Sequence, residues 1–165
     1  MALRQIRLEG DELLNKKSKP VKEITASVLS LMDDMRDTLR DKNGLGIAAP
    51  QLGVLKRIVI VENEEELFEV INPEIIETEG TQTSNEAFLS IPGLCGDIER
   101  PFRIVIRGLD RQGEEIEIDV DDMIASAFCH EIDHLDGVLF VTGATNLRPI
   151  DQEELKRRRR KAKRK

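Results

Sequence analysis

Tryptophan and tyrosine are absent from this 165-residue chain, and only five phenylalanines occur. The interior is therefore expected to rest on Ile, Leu, Val and Met rather than on aromatic rings. Cysteine is scarce as well: Cys95 and Cys129 are too few for a disulfide framework, so a reducing, cytoplasmic compartment is expected. No apolar stretch approaches the roughly 20 residues of a membrane helix, and no membrane partner is expected. The opening MALRQIRLEG lacks the apolar segment and small-residue cleavage site of a secretory signal. Histidine is rare too. The only two, His130 and His134, stand four residues apart in His130-Glu131-Ile132-Asp133-His134.

Charge is what the chain has in quantity. The net charge of −7 conceals an asymmetry, because residues 156–165 read KRRRRKAKRK, nine cations without an anion. Without that segment the net charge falls to −16. An acidic body with a basic extension suits a polyanionic partner such as nucleic acid or the ribosome, while a solvated, solubilising tail is the plain alternative. No aromatic residue interleaves the basic run, which argues against base stacking there.

At this length one domain with a real core is expected, spanning residues 1–150, followed by a C-terminal helix over 151–165 that ends in the basic tail. Thr25 can cap a helix running to about Lys42, with Val28, Leu31, Met32, Met35 and Leu39 forming one apolar stripe and Asn43 and Gly44 ending it. Strands are expected over Arg57–Val61, Leu67–Ile71 and Ile75–Thr78, then an ordered loop over residues 86–96 with Pro92 and two glycines. Phe102–Leu109 and Glu114–Val120 flank Asp110-Arg111-Gln112-Gly113 and read as a hairpin, its second strand wet on one face and buried on the other. Asp121 or Asp122 caps a helix carrying both histidines, Gly137 ends it, and Pro149 opens the final helix. The fold class is α+β: antiparallel strands around a central H-E-x-x-H helix, with an N-terminal and a C-terminal helix.

On a helix, residues four apart share a face, so both imidazoles can chelate one divalent ion. The adjacent Glu131 can reach a water held by that ion and take its proton, which is the chemistry of metal-assisted hydrolysis. Such sites normally use three protein ligands. A third histidine six residues past the second is excluded, because that position is Phe140; a glutamate on a later helix, Glu153 or Glu154, stays open.

The segment Gly44-Leu45-Gly46-Ile47-Ala48-Ala49-Pro50-Gln51, the run Glu86-Ala87-Phe88-Leu89-Ser90 and the histidine motif stand in the order of three signatures. Together with Ile91-Pro92-Gly93 and Arg100-Pro101 they resemble the peptide deformylase family over roughly residues 20–150. The resemblance implies hydrolysis of the formyl group from the N-terminal methionine of new polypeptides, with formylated nascent peptides as substrates. It implies one divalent ion, Fe²⁺ or else Zn²⁺ or Ni²⁺, held by His130, His134 and a cysteine. Glu131 would be general base and then acid, and the Gln51 side chain with the Leu89 N–H would stabilise the oxyanion. Gly44, Gly46, Ile47, Ser126 and Ala127 would contact substrate, the glycines by letting backbone approach closely.

The chain departs from that pattern where the cysteine ligand should stand, since position 88 is phenylalanine and Ala87 replaces a glycine. Cys95, seven residues on, is a candidate substitute ligand. Cys129 precedes His130 and points about 100° around the helix from it, which makes it a poor chelate partner. Glu86 is expected to pair with Arg100. Ser126 puts a hydroxyl on the histidine face, either to alter substrate preference or to bond a carbonyl one turn back. The alternative to a working hydrolase is a deformylase-like protein without metal that binds nascent chains or ribosomes.

Overall fold

The computed structural model describes residues 3–7, 12–88, 91–138 and 145–149, with Glu153 and Arg157 as helical positions beyond them; at 87, 88 and 91–93 it describes the backbone alone. Helix α1 covers Ala26–Asp41. Thr25 caps it, its hydroxyl accepting from the Val28 N–H at 3.2 Å. The five stripe residues from Val28 to Leu39 are all buried, each worth about 1.5–3 kcal/mol against exposure. Asn43 takes the left-handed conformation at φ 55°, and the Gly44 N–H returns to the Leu39 carbonyl.

Among the described residues, eight strands form two antiparallel sheets. The larger has the order β1-β2-β3-β6-β7: β1 is Gly46–Ala48, β2 Ile58–Glu62, β3 Leu67–Glu79, β6 Arg103–Leu109 and β7 Glu115–Asp121. The smaller places β5 (Ile91–Arg100) between β4 (Gln82–Phe88) and β8 (Thr145–Pro149). Helix α2 covers Asp122–Leu135. All of β2 is buried because both faces of that strand are covered. Val59 and Val61 join the core under α2, whereas Ile58 and Ile60 join the core under α1. On the α2 side Phe128 meets Phe68 edge-on, with ring centroids 5.6 Å apart.

Three expectations are corrected. The two strands expected over 67–71 and 75–78 are one strand, β3, irregular around Asn72-Pro73. Asn72 sits at φ 55° and exchanges two hydrogen bonds with the Val21 backbone, and a bulge tolerates the proline that regular pairing would reject. Of the loop expected over residues 86–96, residues 86–88 instead end β4 and residues 91–96 begin β5, while 89 and 90 lie outside the described residues. The pairing shifts register at Ala87/Phe88 and at Cys95/Asp97. Pro149 closes β8 instead of opening a helix. The C-terminal helix and basic tail lie outside the described residues except at Glu153 and Arg157, as do Phe140 and Glu154.

The hairpin turn is as expected: the Asp110 carboxylate accepts from the N–H groups of Gln112 and Glu114, and Gly113 takes φ 79°. Asp121 occupies the N-cap position of α2 without a side-chain cap bond. At the other end the Leu135 carbonyl accepts from the Arg57 guanidinium and the Ser18 N–H, which places a cation at the negative end of the helix. Gly137, at φ 74°, passes so close to the Asn15 carbonyl that no Cβ would fit.

Candidate metal centre

Helix α2 packs against β1, β2 and a 3-10 turn at Ala49–Leu52, and most of its residues are buried. His130, Glu131 and His134 are 5 %, 4 % and 3 % exposed. One potential donor atom from each lies within 4.8 Å of the others. The rings stand one turn apart with centroids 5.5 Å from each other, as the i, i+4 spacing requires.

A buried carboxylate orients the first ring. His130 Nδ1 lies 2.5 Å from Glu86 Oε1, and Glu86 is held in turn by a two-pronged pair with Arg100, both contacts at 3.0 Å. Arg100 also reaches Asp133 at 2.6 Å. Burial pushes the Glu86 carboxyl up, but the His130 and Arg100 charges and hydrogen bonds outweigh it and hold the group at about 2. An ionised carboxylate only accepts, so Nδ1 of His130 donates and Nε2 is the nitrogen left to meet a cation. Burial, with the nearby His130 and Arg100 charges, keeps His134 well below its ordinary value and hence neutral, the form that ligates. The Glu86–Arg100 pair follows from the sequence. The link to His130 does not, and only the place of Glu86 two residues before the expected ligand position hints at it.

Glu131 is the unusual group. Burial pushes its carboxyl up to about 7, and Oε1 has no hydrogen-bond partner among the described residues. Such a group is costly in an apolar interior unless a cation or a proton-bearing ligand meets it. Gly46 gives it room: a Cβ there would stand 2.9 Å from Glu131 Cγ and Oε2. Two imidazoles and a buried, unsatisfied carboxylate fit a divalent cation.

Gln51 sits in the Ala49–Leu52 turn, 1 % exposed, with Oε1 accepting from the Ala48 N–H at 2.9 Å. That bond fixes the amide and leaves its NH₂ as the donor end. Gly44 closes α1 through its N–H, and the Ile47 side chain enters the core beneath α1, so only backbone of that segment is left to meet a ligand. Ser126 and Ala127 are buried on α2, and the Ser126 hydroxyl donates to the Met123 carbonyl one turn back. Leu89 lies outside the described residues.

Cys95 does not join the cluster. It is buried on β5, paired with Ala87 on one side and Arg148 on the other, and two flanking strands hold its backbone in place. Cys129 is buried too, and burial pushes its thiol up to about 11, far from the thiolate a metal needs.

A buried H-E-x-x-H helix laid across an antiparallel sheet defines a hydrolase of the metal-binding kind. The family model for polypeptide deformylases matches residues 3–149. A peptide deformylase of Acetivibrio thermocellus is 50 % identical over 159 residues, covering 96 % of this chain and 92 % of its own. One from Thermoanaerobacter pseudethanolicus is 49 % identical over 154 residues, covering 93 % and 96 %. Among solved structures, a peptide deformylase from Legionella pneumophila superposes with a TM-score of 0.83 at 34 % identity, covering 99 % of this chain and 95 % of its own. That from Thermotoga maritima gives 0.84 at 34 % identity, covering 87 % and 98 %. The chain belongs to the peptide deformylase family.

Proposed function

We propose that this protein hydrolyses the N-formyl group from the N-terminal formylmethionine of newly made polypeptides, in the cytoplasm, with one divalent metal ion. The observation that carries the proposal is the contact of Gly46 with Glu131, where the glycine-bearing segment meets the acid–base residue and only a residue without Cβ fits. His130 and His134 would hold the ion, Fe²⁺ or else Zn²⁺ or Ni²⁺. A divalent ion at that place lowers the pKa of water and polarises a carbonyl.

Glu131 takes the proton of the attacking water as its oxygen bonds to the formyl carbon. A carboxyl group whose pKa lies near neutrality is suited both to accept that proton and to return it. The carbonyl oxygen becomes an oxyanion, which the Gln51 amide and the Leu89 N–H stabilise. Glu131 then protonates the nitrogen, the C–N bond breaks, and formate leaves the free amino terminus. Family membership supports this reading and gives no support to a metal-free binding module. The test is anaerobic preparation with Fe²⁺ or Ni²⁺, measuring bound metal and formate released from formyl-Met-Ala. One bound ion with turnover is the expected result; substoichiometric metal with no turnover refutes it.

The basic segment 156–165 is the proposed ribosome contact, supported by its nine cations against an acidic body. Deleting it should abolish salt-sensitive ribosome association, and unchanged binding rejects the role.

A further inference from the structure

We propose that the metal centre of this chain contains no sulfur donor, and that the Glu131 carboxylate joins the imidazoles of His130 and His134 as its third protein donor. The inference rests on the metallohydrolase reading above. Three observations carry it. The cluster whose donor atoms lie within 4.8 Å of one another consists of His130, Glu131 and His134, and no cysteine shares it among the described residues.

The second observation is an elimination among the neighbouring carboxylates. Glu86 is committed to Arg100 and to His130 Nδ1, and Asp133 is committed to Arg100. Glu131 alone keeps a buried oxygen with no hydrogen-bond partner among the described residues, and it is 4 % exposed.

The third concerns sulfur. Position 88 is phenylalanine, which has no lone pair to give. Cys95 is fixed between β4 and β8, and neither it nor Cys129 belongs to the group of side chains whose donor atoms gather at the centre. Two imidazoles and one carboxylate make a harder donor set than one containing a thiolate. Nothing in that set can climb the sulfur oxidation ladder, so the centre should survive oxidants that destroy a thiolate ligand. Glu131 then serves twice, as a donor at rest and as the base when water and substrate enter.

Co²⁺ titration of the full, metal-free chain tests this without reference to turnover. The expected result is one equivalent bound, with visible ligand-field bands and no near-ultraviolet sulfur-to-cobalt charge transfer. Glu131→Gln, which preserves shape and adds no charge, should bind Co²⁺ at least about tenfold more weakly. A near-ultraviolet band that Cys95→Ser or Cys129→Ser removes overturns the inference and leaves the metallohydrolase reading intact. Unchanged Co²⁺ affinity in Glu131→Gln overturns the inference in the same limited way. Failure of the parent chain to bind Co²⁺ at all overturns both. The spectrum of the parent chain decides the sulfur question even where a variant does not fold.

Discussion

Replacing Arg100 by methionine should destabilise this fold far more than the loss of a surface ion pair. Arg100 is 7 % exposed, with two contacts of 3.0 Å to Glu86 and one of 2.6 Å to Asp133. Methionine fills much of the volume but leaves the Glu86 charge buried beside His130 alone. Breaking a buried pair from one side costs about 3–5 kcal/mol. Glu86 supplies a second gauge of the same quantity. Burial raises its pKa, yet His130 and Arg100 together hold it at about 2 against an ordinary 4.5. A depressed carboxyl stabilises the folded state above the ordinary value, and that contribution is lost as pH falls from 4.5 towards 2. Linkage makes it about 3 kcal/mol in all, shared between His130 and Arg100. At pH 7, Arg100→Met should therefore lower the unfolding free energy by about 3–5 kcal/mol and Tm by about 6–20 °C. The gap between parent and variant should narrow below pH 4.5, because the parent loses its own contribution there. Urea unfolding of the metal-free chain followed by far-ultraviolet circular dichroism is the assay, since a chain without Trp or Tyr gives little fluorescence. A loss under about 1 kcal/mol, the scale of a surface pair, or a gap that widens on acidification, refutes the reasoning.

Gly46→Ala would drive a Cβ to 2.9 Å from Glu131 Cγ and Oε2, so turnover should fall about a hundredfold through misplacement of the base. The same change should cost only about 1–3 kcal/mol of stability, and kcat measured at equal bound metal separates the two effects. Phe88→Cys adds a thiolate to the donor set, so metal affinity and turnover should rise and a near-ultraviolet cobalt band should appear; none of these changing would mean that position 88 does not face the centre. Thr25→Ala removes the acceptor for the Val28 N–H and should cost about 1 kcal/mol in urea unfolding, with turnover untouched.

Helix α1 was readable to within a residue at each end, because its cap, its apolar stripe and its terminating Asn43 are local signals that burial then reinforces. The Asp110–Gly113 turn was readable for the same reason. The smaller sheet was not. Strand β5 contains two glycines and a proline that by themselves indicate a loop, and its partner β8 follows α2, so no nearby pattern announces the pairing. In β3 the Asn72-Pro73 break looked like an end of pairing, whereas the side chain of Asn72 bonds to Val21, far back in the chain, and carries the strand through. At the centre, the histidine spacing gave away the helix face and the donors on it. The Glu86–His130 contact joins residues 44 apart in sequence, and the role of Gly46 beside Glu131 depends on how β1 meets α2. Neither leaves a local trace. Ser126 had two readings, and its bond to the Met123 carbonyl supports the one that concerns the helix itself.

The central claim is that Glu131 moves the proton in hydrolysis of a formyl group at this centre. It is tested most directly by formate release from formyl-Met-Ala, comparing the parent chain with Glu131→Gln under metal excess that equalises bound ion. The account predicts turnover by the parent and a loss of about 10²–10⁴-fold in the variant. Equal rates, or no formate from the metal-loaded parent, would contradict it.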